Sequence, residues 1–238
     1  MQFIKIPYLP KGKVKVAVGD LKRDDINMVT PFDKLNLPLP LKKHGDLSFC
    51  YLGEGIAVCA KGSGEYYQNA LEGLIIKEGR TQIDMHYPYD AAYNIAIVGK
   101  KVFCKTDTTD KTLLDECEKM GYKIIHINQG YSKCSVCPVD EFCAISGDKS
   151  FYKAAQKEGI EVLLIRNTSI LLPGYNEGFF GGSAFMESEN TLCVNGDISL
   201  HPDKEKIESF LKEKNIKINQ LKNTPIRDFG SLIPIWEE

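Results

Sequence analysis

Asp228-Phe229-Gly230-Ser231-Leu232-Ile233-Pro234-Ile235, close to the end of a 238-residue chain, reads as the first strand of a β-hairpin whose second strand does not follow. A small polar residue, Ser231, stands just before its apolar run. The same mark recurs upstream, where Ser48 precedes Phe49-Cys50-Tyr51-Leu52, Asn94 precedes Ile95-Ala96-Ile97-Val98, Ser135 precedes Val136-Cys137-Pro138-Val139 and Ser183 precedes Ala184-Phe185-Met186. The series 48, 94, 135, 183, 231 advances by 46, 41, 48 and 48 residues, a period in the range of internal repeats. After each of the first four runs comes a second that carries a cysteine: Cys59, Cys104, Cys143 and Cys193 are read as one recurring core position. The partner missing from the last run is supplied by the other end of the chain. Lys13-Val14-Lys15-Val16-Ala17-Val18-Gly19-Asp20 alternates as a half-buried strand does, and its Gly-Asp ending matches Gly147-Asp148 and Gly196-Asp197.

Between these hairpins lie four helices, Gly64 to Leu71, Thr109 to Met120, Lys149 to Glu158 and Asp203 to Lys214. They stop at Gly73, Gly121, Gly159 and Asn215, residues that tolerate the left-handed backbone of a helix C-cap. Strands follow at 74–76, 122–127, 160–165 and 216–218. In the split unit a weaker helical stretch near Asp24 to Val29 takes the helix position. An extended Leu37-Pro38-Leu39-Pro40-Leu41 takes that of an edge strand, where proline is tolerated. The predicted fold is therefore α/β: a propeller of five ββαβ units with pseudo-five-fold symmetry, residues 1–238 forming one domain, its N- and C-terminal strands closing one unit so that sheet edges are protected. A doubly wound parallel sheet also alternates helix and strand. It has no place for a hairpin before each helix, and no Gly-x-Gly-x-x-Gly loop is present to bind a dinucleotide.

The 30 basic and 32 acidic residues nearly cancel, which removes the field that draws proteins to nucleic acid or anionic lipid. The expected partner is a small molecule, not nucleic acid or a membrane, with a homo-oligomer left open. Met1-Gln2-Phe3-Ile4-Lys5-Ile6-Pro7 lacks the pattern of a secretory signal, so a cytoplasmic location and reduced cysteines are expected.

At these residues the chain resembles the pentein superfamily of guanidino-group-modifying enzymes, whose fold is five ββαβ units about an axis. His44-Gly45-Asp46-Leu47, Tyr87 to Asn94, Gln129 to Ser135, Gly178-Phe179-Phe180-Gly181-Gly182, Gly196-Asp197-Ile198 with His201-Pro202-Asp203, and Asp228 to Ser231 look like an uncharacterised bacterial family grouped with it. The resemblance implies amidino hydrolase or amidinotransferase chemistry: a cysteine thiolate attacks the guanidinium carbon, a histidine handles protons, and carboxylates hold the planar cation. It equally allows a non-catalytic pentein that binds a ligand or a macromolecule. The superfamily's enzymes carry a Gly-x-x-His-Cys stretch in the final unit, where this chain has Gly230-Ser231-Leu232-Ile233-Pro234.

Polar residues crowd the entries to the five first strands, where this fold gathers them at one end of its axis. Because Gly230 to Pro234 has neither histidine nor cysteine, the superfamily's nucleophile is not carried over; the candidates at the entries are Cys134 as nucleophile, with His44 and Asp46 beside it, and Asp90, Tyr93, Asn94, Lys133, Gly181, Gly182, Asp228 and Ser231 as ligand-binding residues. No cofactor or metal is expected. Lys133 is expected to lower the pKa of Cys134. Each residue also has a plainer reading: Asp46, Asp90 and Asp228 as turn caps, His44 as a turn residue, Gly181-Gly182 as relief of crowding. Cys134-x-x-Cys137 lacks the second pair that a zinc site needs. On one strand its two thiols would face opposite sides. Asp197, His201 and Asp203 sit where a turn enters a helix, and capping accounts for Asp203 or Asp197.

Overall fold

The computed structural model describes all 238 residues, Met1–Glu238. In chain order its strands and helices are β1 (Gln2–Phe3), β2 (Val14–Val18), β3 (Asn27–Val29), β4 (Phe49–Gly53), β5 (Ile56–Cys59), α1 (Gly64–Ala70), β6 (Ile75–Glu78), β7 (Ala96–Val98), β8 (Lys101–Cys104), α2 (Lys111–Lys119) and β9 (Lys123–His126). There follow α3 (Ser132–Ser135), β10 (Val136–Pro138), β11 (Cys143–Ser146), α4 (Lys149–Lys157), β12 (Glu161–Leu164), α5 (Phe180–Ser183), β13 (Ala184–Ser188), β14 (Thr191–Val194), α6 (Lys204–Glu213), β15 (Lys217–Gln220) and β16 (Ile233–Glu237). The strands make five small sheets. One is ordered β1-β16-β2-β3; the others are β4-β5-β6, β7-β8-β9, β10-β11-β12 and β13-β14-β15. In each three-stranded sheet an antiparallel hairpin is followed, after a helix, by a strand parallel to its second member.

The two ends of the chain share a sheet, as their sequences predict. Ile233 pairs with Val18 and Pro234 with Ala17 in the β16–β2 ladder, while Phe3 of β1 pairs with Trp236 on the other side. Leu232, Ile233 and Ile235 enter the largest apolar cluster with Val14, Ala17, Val18, Phe49 and Tyr51, each such burial contributing about 2 kcal/mol. Glu237 adds a polar tie, accepting from the amides of Lys11 and Gly12 and from Gln2 Nε2.

The four expected helices form to within two residues at either end. Asp110 caps α2 through the amide of Leu113 and Asp148 caps α4 through that of Phe151. Buried Leu113 and Cys117, Phe151 and Ala155, and Ile207 and Leu211 recur four apart and face the sheets. No helix is long and apolar enough to cross a membrane.

Three local expectations fail. The stretch 24–29 is not a helix; Asn27–Val29 forms β3, parallel to Val16–Val18, because ladder hydrogen bonds outweigh the weak helix preference of Asn27 and Val29. Leu37–Leu41 is not an edge strand, and Leu39–Leu41 turns into a short 3-10 helix with Pro40 in its first turn. The four cysteines do not share a repeat position. Cys59 and Cys104 end β5 and β8, where β11 and β14 have Ser146 and Val194, whereas Cys143 opens β11 and Cys193 is third in β14. The hairpins are nearly equal in length, with Phe49 opposite Cys59, Val136 opposite Ser146 and Ala184 opposite Val194, so Cys143 and Cys193 stand at different registers. All eight cysteines are nonetheless buried and free.

Candidate functional site

The recurring Ser or Asn has a local cause that builds the site. Gly45–Leu47, Tyr89–Ala91, Ser132–Ser135 and Phe180–Ser183 are single helical turns that lead into the first strands β4, β7, β10 and β13. The serine hydroxyl bonds the carbonyl three residues back: Ser48 to Gly45 at 3.3 Å, Ser135 to Ser132 at 3.0 Å and Ser183 to Phe180 at 2.9 Å. Such back-bonding closes a turn that is too short to hold itself. The fifth entry has no helix; Asp228 Oδ1 accepts from the Gly230 amide, and Gly230 and Ser231 both take positive φ (78° and 60°).

These turns bring residues from distant units into contact. Cys134 donates its S–H to Asp46 Oδ2 at 3.0 Å, and Asn94 Nδ2 donates to Cys134 Sγ at 3.3 Å and to the Asp46 carbonyl at 3.0 Å. Asn94 Oδ1 in turn accepts from the amides of Lys133 and Cys134. His44 Nδ1 lies 3.9 Å from Asp228 Oδ1. His44, Asp46, Asn94, Cys134 and Asp228 are all buried, and neither His44 Nδ1 nor Asp46 Oδ1 has a hydrogen-bond partner.

Other predicted ligand contacts are engaged by the protein itself. Lys133 Nζ turns away from Cys134 to Gly181 O at 2.9 Å and Ser231 Oγ at 3.1 Å, above the Tyr8 ring. Ser231 also donates to Ala184 O. Tyr93 lies elsewhere, its hydroxyl tied to Thr81 O, the Lys61 amide and Asp110. Asp90 accepts from Tyr131 OH and reaches the site only through that ring. Gly181 and Gly182 relieve crowding, since a Cβ would strike Val136 O at the first and the Asp228 carboxylate at the second. Cys137 is on β10, beyond Cys134 on α3, and packs in an apolar cluster that does not include Cys134. Asp197 accepts from the Ser199 amide as a cap, whereas Asp203 binds Arg166 and Lys206 and His201 bonds Arg166 O.

A cavity of about 120 Å³ opens beside Cys134, lined by His44, Asp228 and Glu177 and walled by Tyr131, Tyr175, Phe179, Leu41, Leu47 and Leu172. His44, Leu172 and Asp228 also border an outer cleft of about 540 Å³ that includes Lys43, Lys222 and Arg227. The three aromatic rings have no periodic signal in sequence. Tyr131 lies in the segment Gln129 to Ser135 but carries no mark of facing a cavity.

Electrostatics set the resting state of the pair. Burial, followed by the charges of Asp46 and Asp228, raises the Cys134 thiol well above its ordinary range, and Lys133 opposes this only weakly. Lys133 thus acts in the expected direction without offsetting burial and the two carboxylates. Burial also raises the Asp46 carboxyl, against the pull of His44 and Lys133.

The model of a family of unknown function, DUF6873, matches residues 13–233. The chain belongs to that family. Comparison with curated proteins finds no match. Among solved structures, the DUF6873 chain is similar to agmatine deiminase from C. jejuni, with 9% identity and a TM-score of 0.54 over 92% of this chain and 91% of that one. DDAH from Pseudomonas aeruginosa, a Cys-to-Ser mutant complexed with citrulline, shows 8% identity and a TM-score of 0.51 over 87% and 92%. An amidinotransferase from Microseira wollei in the saxitoxin pathway shows 12% identity and a TM-score of 0.47 over 73% of this chain, which spans 60% of that protein. Agmatine deiminase and DDAH share the DUF6873 α/β fold of five small sheets, the fold of the guanidino-group-modifying superfamily that the sequence resembles; at these identities the likeness concerns fold alone.

Proposed function

We propose that the DUF6873 chain binds a small guanidino-type or similar organic cation in the cavity beside Cys134, and that Cys134 acts on it as an amidino hydrolase or transferase nucleophile. One observation carries this reading. A buried thiol hydrogen-bonded to Asp46 adjoins a cavity that holds two further carboxylates, Asp228 and Glu177, within walls of aromatic rings. Carboxylates accept the paired donors of a guanidinium, and ring faces attract its charge. A cation placed there would offset the carboxylate charges that, together with burial, keep the proton on Cys134. The thiolate so released would attack the guanidinium carbon, and His44 would carry the proton to the departing amine. Agmatine deiminase and DDAH, which share the fold, are named for such substrates.

The reading includes closure of the five sheets about one axis in a single domain. Its support is that every unit contributes to one place: Asp46, Asn94, Cys134, Gly181 and Ser231 are linked through hydrogen bonds of Asn94 and Lys133. β10 also packs beside both β7 and β13, and β16 beside β4.

A second reading, a pentein that binds without turnover, is favoured by Gly230-Ser231-Leu232-Ile233-Pro234, which places no histidine or cysteine in the final unit. A thermal-shift screen of agmatine, arginine and N-methylated guanidines tests the shared claim. Binding to the native state raises its stability, by about 2.7 kcal/mol at a hundredfold excess over Kd. Wild type is expected to shift and Asp228→Asn to shift less. No shift with any guanidino compound would contradict both readings, and a shift without urea, citrulline-type or amine release would select the second.

A further inference from the structure

We propose that His44, Asp46 and Cys134 form a site for one divalent ion of the zinc class, although a metal-free pocket is expected from the sequence. One nitrogen, one oxygen and one sulfur from these side chains all lie within 4.8 Å of one another, and all three residues are buried. Two side chains bring polar atoms that nothing satisfies. Asp46 Oδ1 and His44 Nδ1 have no hydrogen-bond partner, a costly state for buried groups that coordination or reorientation relieves.

The donor set and its spacing suit that class of ion. Mixed N, O and S ligands select zinc-like metals over magnesium or calcium, which take oxygen alone. Zinc bonds of about 2.0–2.3 Å hold tetrahedral ligands roughly 3.4–3.8 Å apart. Cys134 Sγ and Asp46 Oδ2, at 3.0 Å, need only part slightly, and the widest gap, at most 4.8 Å, closes with about 1 Å of side-chain rotation. Outer partners are also in place. Asn94 Nδ2 donates to the sulfur, and Asp228 Oδ1, 3.9 Å from His44 Nδ1, is positioned to orient the imidazole. Three protein ligands leave a fourth position facing the cavity. On binding, the metal–sulfur bond replaces the S–H bond, and the proton leaves to solvent.

The ion site does not depend on the guanidino reading. If that reading also holds, an ion on the Cys134 sulfur removes the nucleophile, so metal and guanidino ligand exclude one another. The test adds Co²⁺, then Zn²⁺, to chelator-treated full-length protein. One equivalent of Co²⁺ is expected to produce thiolate-to-cobalt charge-transfer absorption that Zn²⁺ abolishes. The band should vanish in Cys134→Ser, weaken at least tenfold in apparent affinity in His44→Gln and persist in Cys137→Ser, with circular dichroism confirming that each variant folds. Absence of a one-equivalent band in wild type, or its survival in Cys134→Ser, overturns the proposal. Because no guanidino compound is present, this outcome is separate from that of the ligand screen.

Discussion

Cys134 and Asp46, 88 positions apart in sequence, share a buried S–H···O hydrogen bond of 3.0 Å. The bond ties the turn before β10 to the turn before β4 and adds to the burial and carboxylate charges that keep the thiol protonated. Replacing Asp46 by Asn removes one of the charges that raise the thiol pKa. Asp46→Asn should therefore carry more thiolate at a given pH, and its Cys134 should alkylate about three to ten times faster at pH 8, a tenfold change for each pKa unit. Mass-spectrometric mapping of iodoacetamide labelling reads this directly, and an unchanged or slower rate would show that Asp46 does not control the sulfur.

Lys133 is a buried rivet between units, and its charge lowers the pKa of its neighbour by less than burial raises it. Lys133→Met keeps its bulk but strands Gly181 O, and should cost about 1–3 kcal/mol in urea unfolding. A Cys134 labelling rate that fell tenfold in the same variant would restore the activating role.

Glu237 holds the joined ends together by accepting from two amides and a glutamine. Glu237→Ala should lose about 2–3 kcal/mol, with early hydrogen exchange in β1, β2 and β16. Loss confined to the last residues would mean that the ends are not one cooperative unit.

Acid stability depends on Asp203, whose carboxyl is held well below its usual range by Arg166, with Lys206 adding to the effect. A depressed native pKa contributes stability that is present above the unfolded value, about 3.9, and lost as pH falls through the folded one. Wild type should thus exceed Asp203→Asn in stability at pH 7 and lose that advantage progressively below about pH 4. Denaturant midpoints at pH 7, 4 and 2.5 check the sign; a gap that widens on acidification would contradict it.

The repeat was legible in sequence because Ser48, Ser135 and Ser183 each perform the same local task, which leaves the same residue at the same place. The cysteines misled because a similar spacing is not the same register: Cys143 and Cys193 fall short of Ser146 and Val194, the residues that pair opposite Val136 and Ala184. β3 was hidden because three residues pairing with β2 need no strong strand preference of their own. The gathering of His44, Asp46, Cys134 and Asp228 followed from the topology. The direction of Lys133 did not, since its partners Gly181 and Ser231 are distant in sequence. Tyr175 and Phe179 were invisible as cavity walls because nothing in their own segment specifies what they face.

The most direct test is a pH titration of thiolate absorbance, wild type minus Cys134→Ser, with and without the guanidino compound that gives the largest thermal shift. A cation seated beside Cys134 against Asp228 and Glu177 should lower the Cys134 pKa by at least about one unit, a tenfold rise in thiolate at fixed pH. An unchanged or raised pKa with ligand bound would contradict a cation site at Cys134.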